Sequence, residues 1–220
     1  MADKEKKALE ARSYMCEVRA EEPTEEGSII TGRPIVYNSR TDIGFYDEII
    51  ESGALNGTDL TDVRFLVNHD ISRIPLARSR RNNGNSTMQL SVDEQGMTIR
   101  VILDTENNAE ARSLYSAVQR GDISGMSFMF SIDGEDWEDL ESEHPVRHIT
   151  KIGTVVEVSA VTFPAYDSTS INARSDSDVL EKARLAVETA RAKRSDSEKS
   201  EKELQLAKAK YIFKSKLGGF

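Results

Sequence analysis

The chain has 220 residues, 38% of them hydrophobic, which suffices for one domain with a real core plus an appendage. No apolar run approaches the roughly 20 residues that span a bilayer, and the start, Met1-Ala-Asp-Lys-Glu-Lys-Lys7, lacks an apolar leader, so a soluble cytoplasmic product with no membrane partner is expected. The single cysteine, Cys16, excludes an internal disulfide and thiolate zinc patterns and reads as a small apolar filler, while a net charge of -9 argues against nucleic acid as a partner of the main body.

That charge is unevenly spread: residues 1–173 carry 17 basic and 30 acidic side chains, whereas residues 174–220 carry 12 basic and 8 acidic. The two regions have different jobs, and three segments follow: a disordered start over 1–11, a body over 12–173, and a basic, helical or partly disordered tail over 174–220.

Within the body, Arg12-Ser-Tyr-Met-Cys-Glu-Val-Arg19 alternates as a strand does, and Ser28-Ile-Ile-Thr-Gly-Arg-Pro-Ile-Val-Tyr37 reads as a second strand with a bulge or edge at Gly32 and Pro34. An acidic, aromatic segment over Phe45 to Leu55 leads to a strand through Val63 that ends at His69. Residues 74–81 read as an extended piece followed by an Asn-Gly turn. Met88–Val92 and Met97–Leu103 form a hairpin with Gly96 where a positive φ is needed. The body is therefore mainly β.

The one strong helix pattern of the body runs over 105–121, with Asp104 or Thr105 as N-cap, an apolar stripe at Ala111, Leu114, Tyr115 and Val118, and Gly121 as the stop. It delivers the chain into Gly121-Asp-Ile-Ser-Gly-Met-Ser-Phe-Met-Phe130. In a strand, Ser127, Met129 and Ser131 share one face, while Phe128, Phe130 and Ile132 take the other and anchor in the core. Residues 133–143, with seven acids around Trp137, read as a solvated hairpin tip without calcium-ligand spacing. Pro145 between His144 and His148 disfavours a helix that would align them on zinc, so neither metal nor cofactor is expected. Residues 147–152 pair back with the Ser127 strand, and a strand containing Glu157 follows, ended by Pro164. In the tail, Val179, Leu180, Ala183, Leu185, Ala186 and Val187 give a weak helical period, with a break over 195–200 before a second amphipathic helix from Leu204.

Ser127 reads as a nucleophile only if a base and an orienting acid stand elsewhere in the chain, since a serine hydroxyl is inert at neutral pH without them. His69 is a base candidate, and Glu157 is a carboxylate in an apolar run, costly to bury unless paired. Taken singly, such residues are more often structural: a lone histidine at a strand end is usually exposed, and a serine beside phenylalanine usually packs.

The spacing as a whole is more specific. Asn68-His-Asp70, the run ending at Phe130, and Glu157-Val-Ser-Ala-Val-Thr-Phe-Pro-Ala-Tyr166 resemble, in order, the motifs of the prohead proteases of tailed bacteriophages, as do the upstream Gly32-Arg-Pro-Ile-Val-Tyr-Asn38 and Glu48-Ile-Ile-Glu-Ser-Gly-Ala54. The resemblance covers about residues 12–172 and not the tail. It implies an α+β fold like that of the herpesvirus assemblins, a mainly antiparallel β-barrel wrapped by helices. It implies a serine endopeptidase in which Ser127 attacks, His69 is the general base and Glu157 orients it, with backbone N–H groups and Arg78 at the oxyanion. His148 is the rival third member, because assemblins use a second histidine, and Ser124, in the turn, is the rival nucleophile.

The implied substrates are the major capsid protein or scaffold, and the chain itself. The implied setting is the host cytoplasm, inside the immature capsid, with a homodimer possible as in assemblins. The basic tail fits a packaging or self-removal segment. Two readings compete: a non-catalytic assembly or scaffolding protein with a protease-like fold, and an unrelated β-rich hydrolase, although Gly-Met-Ser-Phe is not the Gly-x-Ser-x-Gly elbow.

Overall fold

The computed structural model describes residues 9–15, 18–25, 27–162 and 177–217; Cys16 and the segment with Pro164 lie outside them. In chain order the elements are β1 (Leu9–Met15), β2 (Val18–Ala20), β3 (Ser28–Val36), β4 (Arg40–Asp42), β5 (Asp47–Ile50), β6 (Asp62–Val67), β7 (Ala77–Arg80), β8 (Met88–Asp93), β9 (Gly96–Leu103), α1 (Ala109–Gln119), β10 (Gly125–Glu138), β11 (Val146–Val161) and α2 (Ser177–Leu217).

The strands form two sheets. The second is β2-β3-β9-β8, antiparallel throughout. The first has seven strands: β1-β10-β11-β5-β4, with β6 on β11 and β7 on β6. Its axis is β11, where nine of sixteen residues are Val, Ile or Thr, side chains that favour extended backbone whether or not both faces are covered. β11 pairs with β10 antiparallel along its length, with β5 parallel near its start, and with β6 parallel over Glu157 to Ala160.

Register shifts along β10–β11 let Val155 and Val158, an odd three positions apart, both enter the core while Glu157 takes the other face. Phe128 and Phe130 are fully buried and stacked with centroids 4.7 Å apart, so the alternation expected of β10 holds. They join Ile30, Ile35, Met97 and Val101 of the second sheet and Leu114 and Val118 of α1 in one core.

Several expectations are corrected. The fold is mixed α+β, mostly strands with two helices, as expected, but among the described residues no sheet closes into a barrel. The first strand begins at Leu9, inside the stretch expected to be disordered, and the strand expected over 12–19 divides into β1 and β2 in different sheets. Pairing with β10 along its whole length holds β1 in place.

The N-cap of α1 is Asn108, whose side chain accepts from the N–H groups of Glu110 and Ala111; Asp104 instead closes the preceding turn by accepting from Asn107. The buried stripe and the Gly121 stop, with φ of 78°, are as expected. A bulge does interrupt β3 between Gly32 and Ile35.

The tail is one continuous helix through 195–200, not two. Its beginning is docked: Ala183 and Val187 are buried against Tyr46, with Trp137 and Ile43 beside them. Arg191 donates to the carbonyls of Leu140 (2.8 Å) and Ser142 (2.7 Å) at the β10–β11 hairpin tip. The acids of the tip stay exposed apart from Glu135, as a solvated tip requires.

Candidate active site

Beyond Val67, Asn68 (φ 51°) and His69 (φ 58°) both adopt left-handed backbone, so the histidine sits just past the strand, on a turn. Each such non-glycine residue costs on the order of 1 kcal/mol or more. The end of β11 offsets that cost: the Asn68 N–H donates to the Ala160 carbonyl (3.0 Å), the Asn68 side-chain amide exchanges hydrogen bonds with Thr162, and the His69 N–H donates to Ser159 Oγ (3.0 Å). The next residues are ordered by Asp70, which accepts from the Ser72 N–H and hydroxyl; the hydroxyl bond is the chief reason the Asp70 carboxyl lies below its ordinary value.

The His69 imidazole donates from Nδ1 to Glu157 Oε1 at 2.5 Å. A carboxylate oxygen can only accept, so in this bond Nδ1 carries the proton and Nε2 is the ring nitrogen left for other partners. Glu157 is 2% exposed, and its other oxygen accepts from the Ser159 hydroxyl at 2.6 Å. The buried carboxylate is therefore paired at both oxygens, as burial demands.

Ser127 lies on β10 directly opposite Ser159, one strand spacing away, about 4.8 Å. Cross-strand partners point to the same side, so Ser127, Ser159 and Glu157 share the face away from the phenylalanine core. Ser127 is fully buried, and its hydroxyl donates to the Arg12 carbonyl on β1 at 2.7 Å. Arg12 is itself anchored: Nε and Nη2 donate to the two oxygens of Glu48 at 2.5 and 2.7 Å, and Nη2 also to Glu10. Arg147 joins the cluster through Glu10, Glu48 and Glu135. Burial opposes charge in Glu10, but Arg12 and Arg147 outweigh it and hold its carboxyl below the ordinary value.

A histidine paired with a buried glutamate stands at the strand whose neighbour carries Ser127, and comparison with known proteins gives the chain a family. The family model of caudovirus prohead serine proteases matches residues 15–182, more than half the chain. The chain belongs to that family. The prohead protease of Enterobacteria phage HK97 is 27% identical over 159 residues, covering 71% of this chain and 64% of the HK97 protein, so the match spans less than two thirds of that relative. The structure of the capsid assembly protease of bacteriophage T4 aligns with a TM-score of 0.43 at 13% identity, over 72% of this chain and 99% of that one.

Among the other residues singled out in this family member, Arg78 is on β7, in one cross-strand row with Arg64 and Glu157. Its guanidinium is bonded to both oxygens of Asp62 (2.5 and 2.7 Å), a pairing that lowers the Asp62 carboxyl. Among the described residues its side-chain hydrogen bonds run to Asp62 and none to Ser127. His148 lies nine residues before Glu157 on the same strand, bonded to Glu51 (2.6 Å) and Glu138 (3.2 Å). The structure therefore brings Glu157 to His69 and leaves His148 elsewhere. Ser124 is exposed in the turn before β10.

Asp42, Asp47 and His144 offer three possible metal-ligand atoms within 4.8 Å of one another, but Arg40 is bonded to Asp47 at 2.5 Å, so a cation there would compete with a guanidinium. A surface concavity of about 530 Å³ is lined wholly by second-sheet residues, among them Arg19, Arg33 and Arg100, and is separate from the His69 turn.

Sequence reading missed Ser159, Thr162 and the Arg12 carbonyl. Only the first left a signal: Glu157-Val-Ser159 places two polar side chains on one face of an otherwise apolar strand.

Proposed function

We propose that the protein is a serine endopeptidase of prohead maturation, with Ser127 as nucleophile, His69 as general base and Glu157 as the acid that orients it. The observation that carries the reading is the 2.5 Å bond from His69 Nδ1 to the buried Glu157, made across 88 residues of sequence. It sets the tautomer in which Nε2 accepts a proton.

The Ser127 hydroxyl turns from the Arg12 carbonyl toward that nitrogen. His69 Nε2 takes the Ser127 proton while Oγ bonds to the substrate carbonyl carbon. As the C–N bond breaks, His69 returns the proton to the leaving amine. A water then attacks the acyl ester, again with His69 as base, releasing the carboxyl product and free Ser127. Glu157 holds the ring in place and stabilises the transient imidazolium. In this reading backbone N–H groups stabilise the oxyanion, with Arg78, which is bonded to Asp62 in this structure, as their side-chain support.

Family membership supports capsid or scaffold protein as substrate, inside the immature capsid, with self-cleavage as a further reaction. The exposed, lysine-bearing continuation of α2 is the segment assigned to capturing an acidic assembly partner.

The test is a mass-spectrometric time course on the full chain, wild type beside Ser127→Ala, with and without capsid and scaffold proteins. Fragments present in the wild type and absent in the variant are expected. Equal cleavage by both moves the nucleophile away from Ser127, with Ser124 tested next. Two intact chains in the presence of partners favour the non-catalytic scaffolding reading. A dilution series of specific activity tests the dimer: activity independent of concentration argues against it.

A further inference from the structure

Ser159 has a hydroxyl with one proton to give and two lone pairs, and the structure uses both functions on the same neighbouring pair. The proton goes to Glu157 Oε2 at 2.6 Å, and a lone pair receives the His69 main-chain N–H at 3.0 Å. The side chain is fully buried, two residues from Glu157 on the same face of β11. We propose that Ser159 is a positioning residue for the His69–Glu157 pair, one hydroxyl that fixes both the plane of the carboxylate and the main chain from which the imidazole projects. The inference rests on the reading of Ser127, His69 and Glu157 as the hydrolytic residues.

Three features carry it. Glu157 Oε1 is already engaged with His69, so with the side chain 2% exposed, Oε2 depends on a protein donor, and Ser159 supplies it. Without that donor the carboxylate can rotate about its terminal torsion, and the imidazole bonded to it turns too. His69 also stands in left-handed backbone with φ of 58°, a conformation that persists only where the surroundings impose it. The bond from its N–H to Ser159 is the side-chain restraint on that peptide. Finally, Ser127 lies directly across from Ser159, so a shift of the His69 ring changes its alignment with the very hydroxyl it must deprotonate.

The test compares the full-length wild type with Ser159→Ala, and the shape-matched pair Ser159→Thr and Ser159→Val, on a scaffold-derived peptide substrate. Active sites are titrated with a fluorophosphonate probe, so that kcat is counted per competent Ser127 and loss of folded protein is factored out. The expected result for Ser159→Ala is a kcat lower by roughly 10- to 100-fold, as a misplaced catalytic group costs, with KM within about twofold. Threonine should restore most of the rate and valine none.

A second readout needs no turnover: the His69 Nδ1 proton, in so short a bond, is followed as a downfield proton NMR resonance, expected to broaden or move in Ser159→Ala and to stay in place in Ser127→Ala. If wild type labels at Ser127 but Ser159→Ala keeps its kcat per site and its resonance, this inference alone is overturned. Equal impairment by threonine and valine with alanine unaffected assigns the site to packing and also overturns it. Failure of the wild type to label at Ser127 overturns the hydrolytic reading, and this role with it.

Discussion

Replacing Glu157 by glutamine keeps the shape of the side chain and removes one acceptor. In the native arrangement both carboxylate oxygens accept, one from His69 Nδ1–H and one from the Ser159 hydroxyl. An amide cannot satisfy both. With its oxygen toward His69, its NH2 meets the Ser159 hydroxyl proton, and Ser159 must find another acceptor within a fully buried site. With its NH2 toward His69, Nδ1 must become the acceptor, the ring proton moves to Nε2, and the ring is in the wrong tautomer for the proposed deprotonation of Ser127.

The second arrangement removes general-base function, a loss of about 10⁴ in kcat for a wrong-tautomer imidazole, equivalent to roughly 5 kcal/mol of barrier. The first leaves the tautomer but forfeits the imidazolium's ionic partner and strands a polar group at a cost of about 1–3 kcal/mol. The expectation for Glu157→Gln is therefore a kcat down by about 10² to 10⁴ with KM little changed, measured by chromatographic assay of peptide cleavage on folded, titrated enzyme. A variant retaining more than about a tenth of wild-type kcat would refute the reasoning, since no orientation of the amide supports that rate.

Gly96→Ala should destabilise the β8–β9 hairpin by more than about 2 kcal/mol, because φ is 135° and a Cβ there would lie 2.0 Å from the Ile35 carbonyl oxygen; an unmoved urea midpoint would show that the turn relaxes freely. His148 is raised above its ordinary value, first by its hydrogen bond to Glu51 and then by Glu138, so its stabilisation is complete below the ordinary 6.5 and is lost as pH rises through the elevated folded value. Urea unfolding of wild type against His148→Asn should accordingly show a difference that is largest near about pH 5.5 and shrinks toward about pH 8.5; a difference flat with pH would refute the pairing. Val187→Asp should release the start of α2 from Tyr46, removing on the order of 2 kcal/mol of apolar burial and exposing α2 and the hairpin tip to hydrogen exchange. Ending the chain after residue 195 should leave the thermal midpoint unchanged, because the described side chains beyond it are exposed; a lowered midpoint would reveal a contact of that segment with the body.

Local sequence determined much of this protein, because local sterics and hydrophobic period act within a few residues. The stripe Ala111, Leu114, Tyr115, Val118, the stop at Gly121, the alternation of Phe128 and Phe130 against Ser127, the Gly96 turn and the Gly32–Ile35 bulge are all set by neighbours in the chain. The order of the motifs also carried the family.

Tertiary structure decided which distant segments meet. Parallel pairing of β6 with β11 is what sets His69 beside Glu157 and leaves His148 to Glu51 and Glu138, since the register of non-local strands depends on the whole set of packed faces and not on either strand alone. Ser159 looked like one more strand serine until the His69 turn folded onto it. The hydroxyl of Ser127 found its acceptor 115 residues upstream, at Arg12, where local alternation suggested a strand but could not show that it pairs with β10. The basic tail, too weakly amphipathic to reveal a docking face by period, is held over its first turns by Tyr46, Leu140 and Ser142, partners supplied only once β10 and β11 had formed their hairpin.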